Sequence, residues 1–100
     1  MENMESKEMG EVIASRTFTL LHSNGELLVE IGKPQSFPDS GYYCPIRISG
    51  GGIDRFKQVA GVDAVQALQL GLQMIRVDLA AINKKLDQAL RWNGDTELGF

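Results

Sequence analysis

GVDAVQALQLGLQMIRVDLAAINKKL, Gly61 to Leu86, is the stretch whose reading decides the fold. Asp63 is the expected N-cap, because its carboxylate can accept a hydrogen bond from an orphan amide of the first turn. Gln66 stands three residues on and completes a capping-box arrangement. A helix is therefore predicted from Ala64 to about Leu86, roughly 35 Å long. Val65, Leu68, Leu72, Ile75, Leu79, Ile82 and Leu86 alternate steps of three and four, which is an unbroken heptad stripe. Ala67, Leu70, Met74, Val77 and Ala81 form a second stripe, with Ala64 and Gly71 as small residues between the two. Only Gln66, Gln69, Gln73, Arg76 and Asn83 make a continuous polar face.

The two stripes together span about 220° of the helix. A helix lying on one sheet needs an apolar arc of somewhat over 100°. One stripe can cover a sheet, and the other needs a second cover. That cover is either the same helix of a second subunit across a two-fold axis or strands of this chain wrapped round both sides. Small residues permit close backbone approach, so the candidate interface is Ala67, Leu70, Gly71, Met74 and Val77.

Upstream of the helix the hydrophobic period is two. Val12, Ala14, Phe18 and Leu20 point one way, and Ser15, Thr17 and Thr19 the other. Asn24-Gly25 is a hairpin signal, since both residues tolerate positive φ. A two-residue loop there sets Leu20 opposite Val29, Phe18 opposite Ile31 and Thr19 opposite Glu30. Lys33 to Gly41 holds two prolines and a glycine and reads as loop. Tyr42 to Ser49 alternates again, with Tyr42, Cys44, Ile46 and Ile48 on one face. Pro45 has no amide hydrogen, so its backbone is expected at an edge or a bulge. Gly50-Gly51-Gly52 is a turn, and Ile53 to Ala60 reads as a fourth short strand with Asp54, Phe56, Gln58 and Ala60 on one side. Leu90 and Trp92 can begin a last short strand, and Leu98 and Phe100 form an apolar tail that docks on the body. The class is thus α+β: an antiparallel sheet of three to four strands packed on one long helix in the C-terminal half, with a short terminal strand or tail. Residues 1–10 are expected to be a disordered acidic segment and residues 11–100 a single domain.

Composition excludes more than it selects. The chain has 100 residues, 43% of them hydrophobic and 23% charged, as an ordinary globular domain has. No apolar run approaches the roughly 20 residues that span a bilayer, so no membrane partner is expected. A net charge of −3 argues against broad nucleic-acid binding. One cysteine and one histidine leave no disulfide framework and no ordinary zinc site, and no cofactor is expected. The first residues lack a basic start and an apolar core, so no secretory signal is read and the expected compartment is the cytoplasm, with Cys44 reduced.

GVDAVQALQLGLQMIRVDL (Gly61 to Leu79), preceded by YYCPIRI (Tyr42 to Ile48) and followed by Trp92 and Leu98-Gly99-Phe100, resembles a family of short uncharacterised bacterial proteins. The resemblance runs over roughly residues 12 to 100. It implies bacterial origin, and it brings no catalytic residues with it because the family is a domain of unknown function.

The residues themselves offer little chemistry. Nucleophilic catalysis needs a nucleophile beside a base, and nothing places Cys44 on its apolar strand face near His22 at the hairpin turn. Glu30 and Asp54 are not paired by spacing. Gly50-Gly51-Gly52 lacks the order of a nucleotide loop. No catalytic residue is assigned. The first functional expectation is a non-enzymatic homodimeric interaction module, with another bacterial protein as a further partner. The alternative is a small-ligand binder or minimal enzyme, sited between sheet and helix or at the dimer interface, using Tyr43, Arg47, Asp54 and Trp92.

Overall fold

The computed structural model describes residues 9–100. Of the expected disordered segment, residues 1–8 lie outside the described residues. The strands are β1 (Val12–Leu20), β2 (Glu26–Gly32), β3 (Gln35–Ser36), β4 (Tyr42–Gly50), β5 (Ile53–Gly61) and β6 (Leu90–Arg91), and the helix α1 is Ala64–Lys85. All pairings are antiparallel. Across the sheet the order is β5, β4, β2, β1, β6, with β3 following β2 alongside β4.

The class is α+β, as expected, but the sheet has six strands rather than three to four. Two of the six are only two residues long, and one of these, β6, is the expected short terminal strand. β3 lies in the segment read as loop, where Gln35 and Ser36 pair with Tyr43 and Tyr42. β6 pairs Arg91 with Thr19 and Leu90 with Leu20. β3 pairs locally but is too short, and too close to Pro34 and Pro38, to show alternation, while β6 is fixed by long-range pairing with β1.

The β1–β2 hairpin forms, but in a different register. Thr19 faces Glu26, Phe18 faces Leu27 and Ala14 faces Ile31, a slip of four residues from the expected pairing. Leu20 N still donates to Gly25 O at 3.2 Å, so Leu21 to Asn24 make the turn. The left-handed residue there is His22 (φ 70°), and neither Asn24 nor Gly25 has positive φ. Leu21 N instead donates to Ala89 O at 2.8 Å, so the strand running up to β6 takes the pairing a two-residue turn would have used. An even slip preserves face parity, so Phe18, Leu27, Val29 and Ile31 still enter the core.

Pro45 lies inside β4, which has neighbours on both sides. The β3 ladder ends at Tyr43 and the β2 ladder begins at Ile46, so Pro45 falls at the gap between them, where no donor is required.

Asp63 caps α1 as expected: Oδ1 accepts from Gln66 N at 2.8 Å, and Gln66 Oε1 accepts from Val62 N at 2.7 Å. Lys84 and Lys85 occupy the last turn, where the helix dipole favours cations. α1 packs on β4 and β5. Its buried line is Ala67, Gly71, Ile75, Asp78, Leu79 and Ile82, which runs between the two stripes and takes members of each. Gly71 sits over Cys44: a Cβ there would meet Cys44 Sγ at 3.1 Å and Ile46 Cγ2 at 3.5 Å. The close approach that the small residues permit is therefore made to the sheet of the same chain.

The other half of the sheet's inner face is closed by the end of the chain. Asn93 (φ 51°) and Gly94 (φ 81°) form a tight reversal, with Trp92 and Asp95 exchanging two backbone hydrogen bonds of 2.9 Å. Residues 95–100 then return along the helix, and the Phe100 ring reaches Phe18 with centroids 6.3 Å apart. The apolar tail docks beside α1, on β1.

Candidate binding cleft

Strand alternation turns Ala14, Arg16 and Phe18 of β1 toward the helix side. Phe18 is fully buried and Arg16 half-buried. Because α1 lies over β4 and β5, it leaves the upper part of β1 and β2 uncovered. The result is a cleft of about 400 Å³. Ala14 and Ile31 form its floor, Leu72 and Phe100 its apolar walls, and Arg16, Arg76 and Gln73 supply its polar groups. No carboxylate side chain lines it.

Arg16 is held from several directions. Its Nη1 donates to Leu98 O and Gly99 O, each at 3.1 Å. Its guanidinium lies 3.8 Å from the centroid of a Trp92 ring and 5.0 Å from that of Phe100. Stacking a guanidinium on aromatic faces is favourable by about 0.5 to 2 kcal/mol. Gly99 is fitted tightly against this group: a Cβ on it would meet Arg16 Nη1 at 2.5 Å and Trp92 Cζ3 at 2.6 Å, and its φ is 81°. Arg76 sits on the exposed flank of α1 and makes no hydrogen bond or ion pair among the described residues.

A family model for a domain of unknown function, DUF6968, matches residues 14–100. The chain belongs to this family. No curated protein and no solved structure matches the chain. The match takes in both walls of the cleft, from Ala14 to Phe100.

The residues expected from sequence to form a patch are divided between two faces. Tyr43, Arg47 and Asp54 lie on the open face of the sheet, away from α1. Arg47 forms a bidentate pair with Asp54, Nε to Oδ1 and Nη2 to Oδ2, both 2.9 Å. That hydrogen bond and the carboxylate charge raise the Arg47 pKa above its ordinary value. Tyr43 stacks near Phe37, centroids 4.8 Å apart, and its hydroxyl meets Gln35 Oε1 at 3.3 Å. Trp92 is on the other face, over Arg16. Of the expected interface residues, Ala67 and Gly71 are buried against the sheet, Leu70 and Met74 are half-buried, and Val77 stays 61% exposed.

Cys44 is buried beneath Gly71, with its thiol 3.6 Å from Gly32 O, and burial raises its pKa. His22 is in the β1–β2 turn at the opposite end of the sheet. Among the described residues no group of three His, Cys, Asp or Glu side chains is gathered as a metal site would need. No described helix is long and apolar enough to cross a membrane.

Two inward charges escape the sequence reading. Arg16 occupies an apolar position of a period-two strand, and that placement is a readable signal. Asp78 lies on the buried line of α1 and accepts from Lys57 Nζ at 3.0 Å, with Arg55 Nη1 at 3.7 Å. Its place among apolar helix neighbours is the corresponding signal.

Proposed function

We propose that the chain is a non-enzymatic interaction module that works as a homodimer, with the open edge of β1 as the seam. One observation carries this reading: among the described residues, no strand pairs with the outer edge of β1 before Thr19. The first three residues of that edge, Val12 to Ala14, are apolar. A bulge at Ile13 leaves Val12 42% and Ile13 47% exposed. The other long edge, β5, is guarded by Asp54, Arg55 and Lys57, the usual means of discouraging strand addition.

Two copies can pair their β1 strands antiparallel across a two-fold axis at Ala14 or Ser15. Neither register sets like charges opposite one another. The two sheets then continue as one, and each copy covers the other's Val12 and Ile13. The polar groups favour binding over catalysis: Cys44 is sealed under the helix, and Arg47 is committed to Asp54. The setting that fits is a bacterial cytoplasm, where the Cys44 thiol stays reduced.

Light scattering on a sizing column tests this. The expected mass is about twice the 11.0 kDa of the chain. Ile13→Lys puts a charge on the seam and should return the monomer, while Val77→Lys on the far flank of α1 should leave the dimer intact. A wild-type monomer throughout the micromolar range refutes the homodimer. Dissociation by Val77→Lys but not by Ile13→Lys refutes the seam.

A further inference from the structure

We propose that the cleft between α1, β1 and the C-terminal segment binds a carboxylate carried on an apolar chain, a ligand of the acyl-acid class. Arg16 and Arg76 hold the head group, and Ala14, Ile31, Leu72 and Phe100 hold the chain.

The charge pattern points to an anion. The protein's net charge is −3, yet this cleft gathers two guanidinium groups from different elements and no carboxylate side chain. Arg16 is half-buried, and its recorded partners are neutral: two carbonyls through Nη1 and two aromatic rings. A cation drawn out of water without a counter-ion is costly, so an arriving carboxylate gains more there than on an open surface. The contacts that hold Arg16 also fix its orientation, and a preorganised group loses little freedom on binding. Arg76 faces the same cleft from the helix with its donors unengaged among the described residues. A guanidinium fork matches the two oxygens of a carboxylate.

The remaining lining points to an apolar chain behind the head group. The floor and walls are aliphatic or aromatic, and the volume of about 400 Å³ is at the lower end for small-ligand sites. Along α1 the same face continues from Leu72 to Leu68 and Val65, one turn and two turns toward the N-terminus, and Val65 is 64% exposed. A chain longer than the cleft has apolar surface to follow. A free inorganic anion would satisfy the arginines but leave these walls wet.

Trp92 is the only tryptophan, and it lies against Arg16, so its fluorescence reports on the site. The full chain is titrated with sodium decanoate below its micelle concentration, with decanol and decylamine as comparisons. Decanoate should give a saturable change, with decanol and decylamine at least about tenfold weaker, the range for losing a charge-assisted hydrogen bond. Arg76→Gln should weaken decanoate about tenfold and leave decanol unchanged. Leu72→Glu places a carboxylate in the cleft and should abolish decanoate binding, with folding checked by circular dichroism. Amide shifts on binding should centre on Ala14, Ile31 and Leu72. Equal affinity for decanoate and decanol, undiminished binding by Arg76→Gln, or shifts centred elsewhere would each overturn the proposal. A failed dimer test leaves it standing, since every group named belongs to one chain.

Discussion

Replacing Gly71 by alanine sets two effects against each other, and the geometry says how to separate them. Alanine in a helix interior is favoured over glycine by about 0.8 to 1 kcal/mol. The new methyl, however, arrives 3.1 Å from Cys44 Sγ and 3.4 Å from Cys44 Cβ, closer than the optimum of about 3.5 to 4 Å. Overpacking a filled core costs about 1 to 3 kcal/mol. The cost matches or exceeds the gain, so Gly71→Ala alone should fall between neutral and about 2 kcal/mol destabilising. Cys44→Ala alone removes the sulfur and leaves a small void, at a cost of about 1 kcal/mol. Together the changes are complementary, because the methyl added at position 71 enters the space that the sulfur vacates. The double variant should be more stable than the sum of the singles by about 1 to 2 kcal/mol. Urea unfolding at constant slope measures this as a midpoint shift of roughly 0.5 to 1 M. A coupling within about 0.5 kcal/mol of zero would mean that Gly71 does not rest on Cys44. A Gly71→Ala effect that scaled with protein concentration would move the contact to a second chain.

Three further outcomes are expected. Asp63→Ala removes the acceptor held 2.8 Å from Gln66 N and should lower stability by about 1 kcal/mol in the same urea assay. Asp78→Ala leaves Lys57 and Arg55 facing each other without their shared acceptor. Both cations are a third or more exposed, so the loss should be about 1 to 2 kcal/mol, and Lys57→Met should recover part of it. Cys44 titrates higher in the folded chain than its ordinary value of 9.0, because burial disfavours the thiolate. Its contribution is therefore fully present below about pH 9 and is lost as pH rises toward the folded value, and Cys44→Ala should flatten that alkaline decline.

The helix is legible in the sequence because its signals are local. Asp63, Gln66 and the apolar period all act within a few residues, and the start falls at Ala64 as read. The faces of β1, β2 and β4 are legible for the same reason, since alternation survives any even slip. The hairpin register is not. Asn24-Gly25 is a strong turn dipeptide, yet consecutive left-handed residues close tight reversals at Gly51-Gly52 and at Asn93-Gly94 instead. Pairing of Leu20 with Leu90 competes with a tighter first turn, and that contact spans seventy positions of sequence. The second helix stripe calls for an outside cover only when its arc is measured against a sheet directly below the first. The buried line lies between the stripes, so Ala67 from one, Gly71 between them, and Ile75, Leu79 and Ile82 from the other share a single contact surface. The cleft is invisible in the sequence because it depends on where the last six residues return.

The fold turns two charged side chains toward its helix-facing layer and treats them differently. Asp78 is met by two cations, so the pair crosses from helix to sheet with its charge answered within the chain. Removing one partner there exposes a buried cost, which is the signature of a structural ion pair. Arg16 is met by carbonyl oxygens and ring faces, which orient a guanidinium but leave its charge intact. Had Arg16 served only to pin the C-terminal segment, a neutral donor could have reached Leu98 O and Gly99 O, and an acid in the cleft would have strengthened the clasp. The lining instead adds Arg76, a second cation on a separate element. Structure-building alone accounts for Asp78, Lys57 and Arg55. It does not call for an unpaired Arg16 facing an apolar cleft beside Arg76, which is the arrangement the proposed acyl-acid ligand would use.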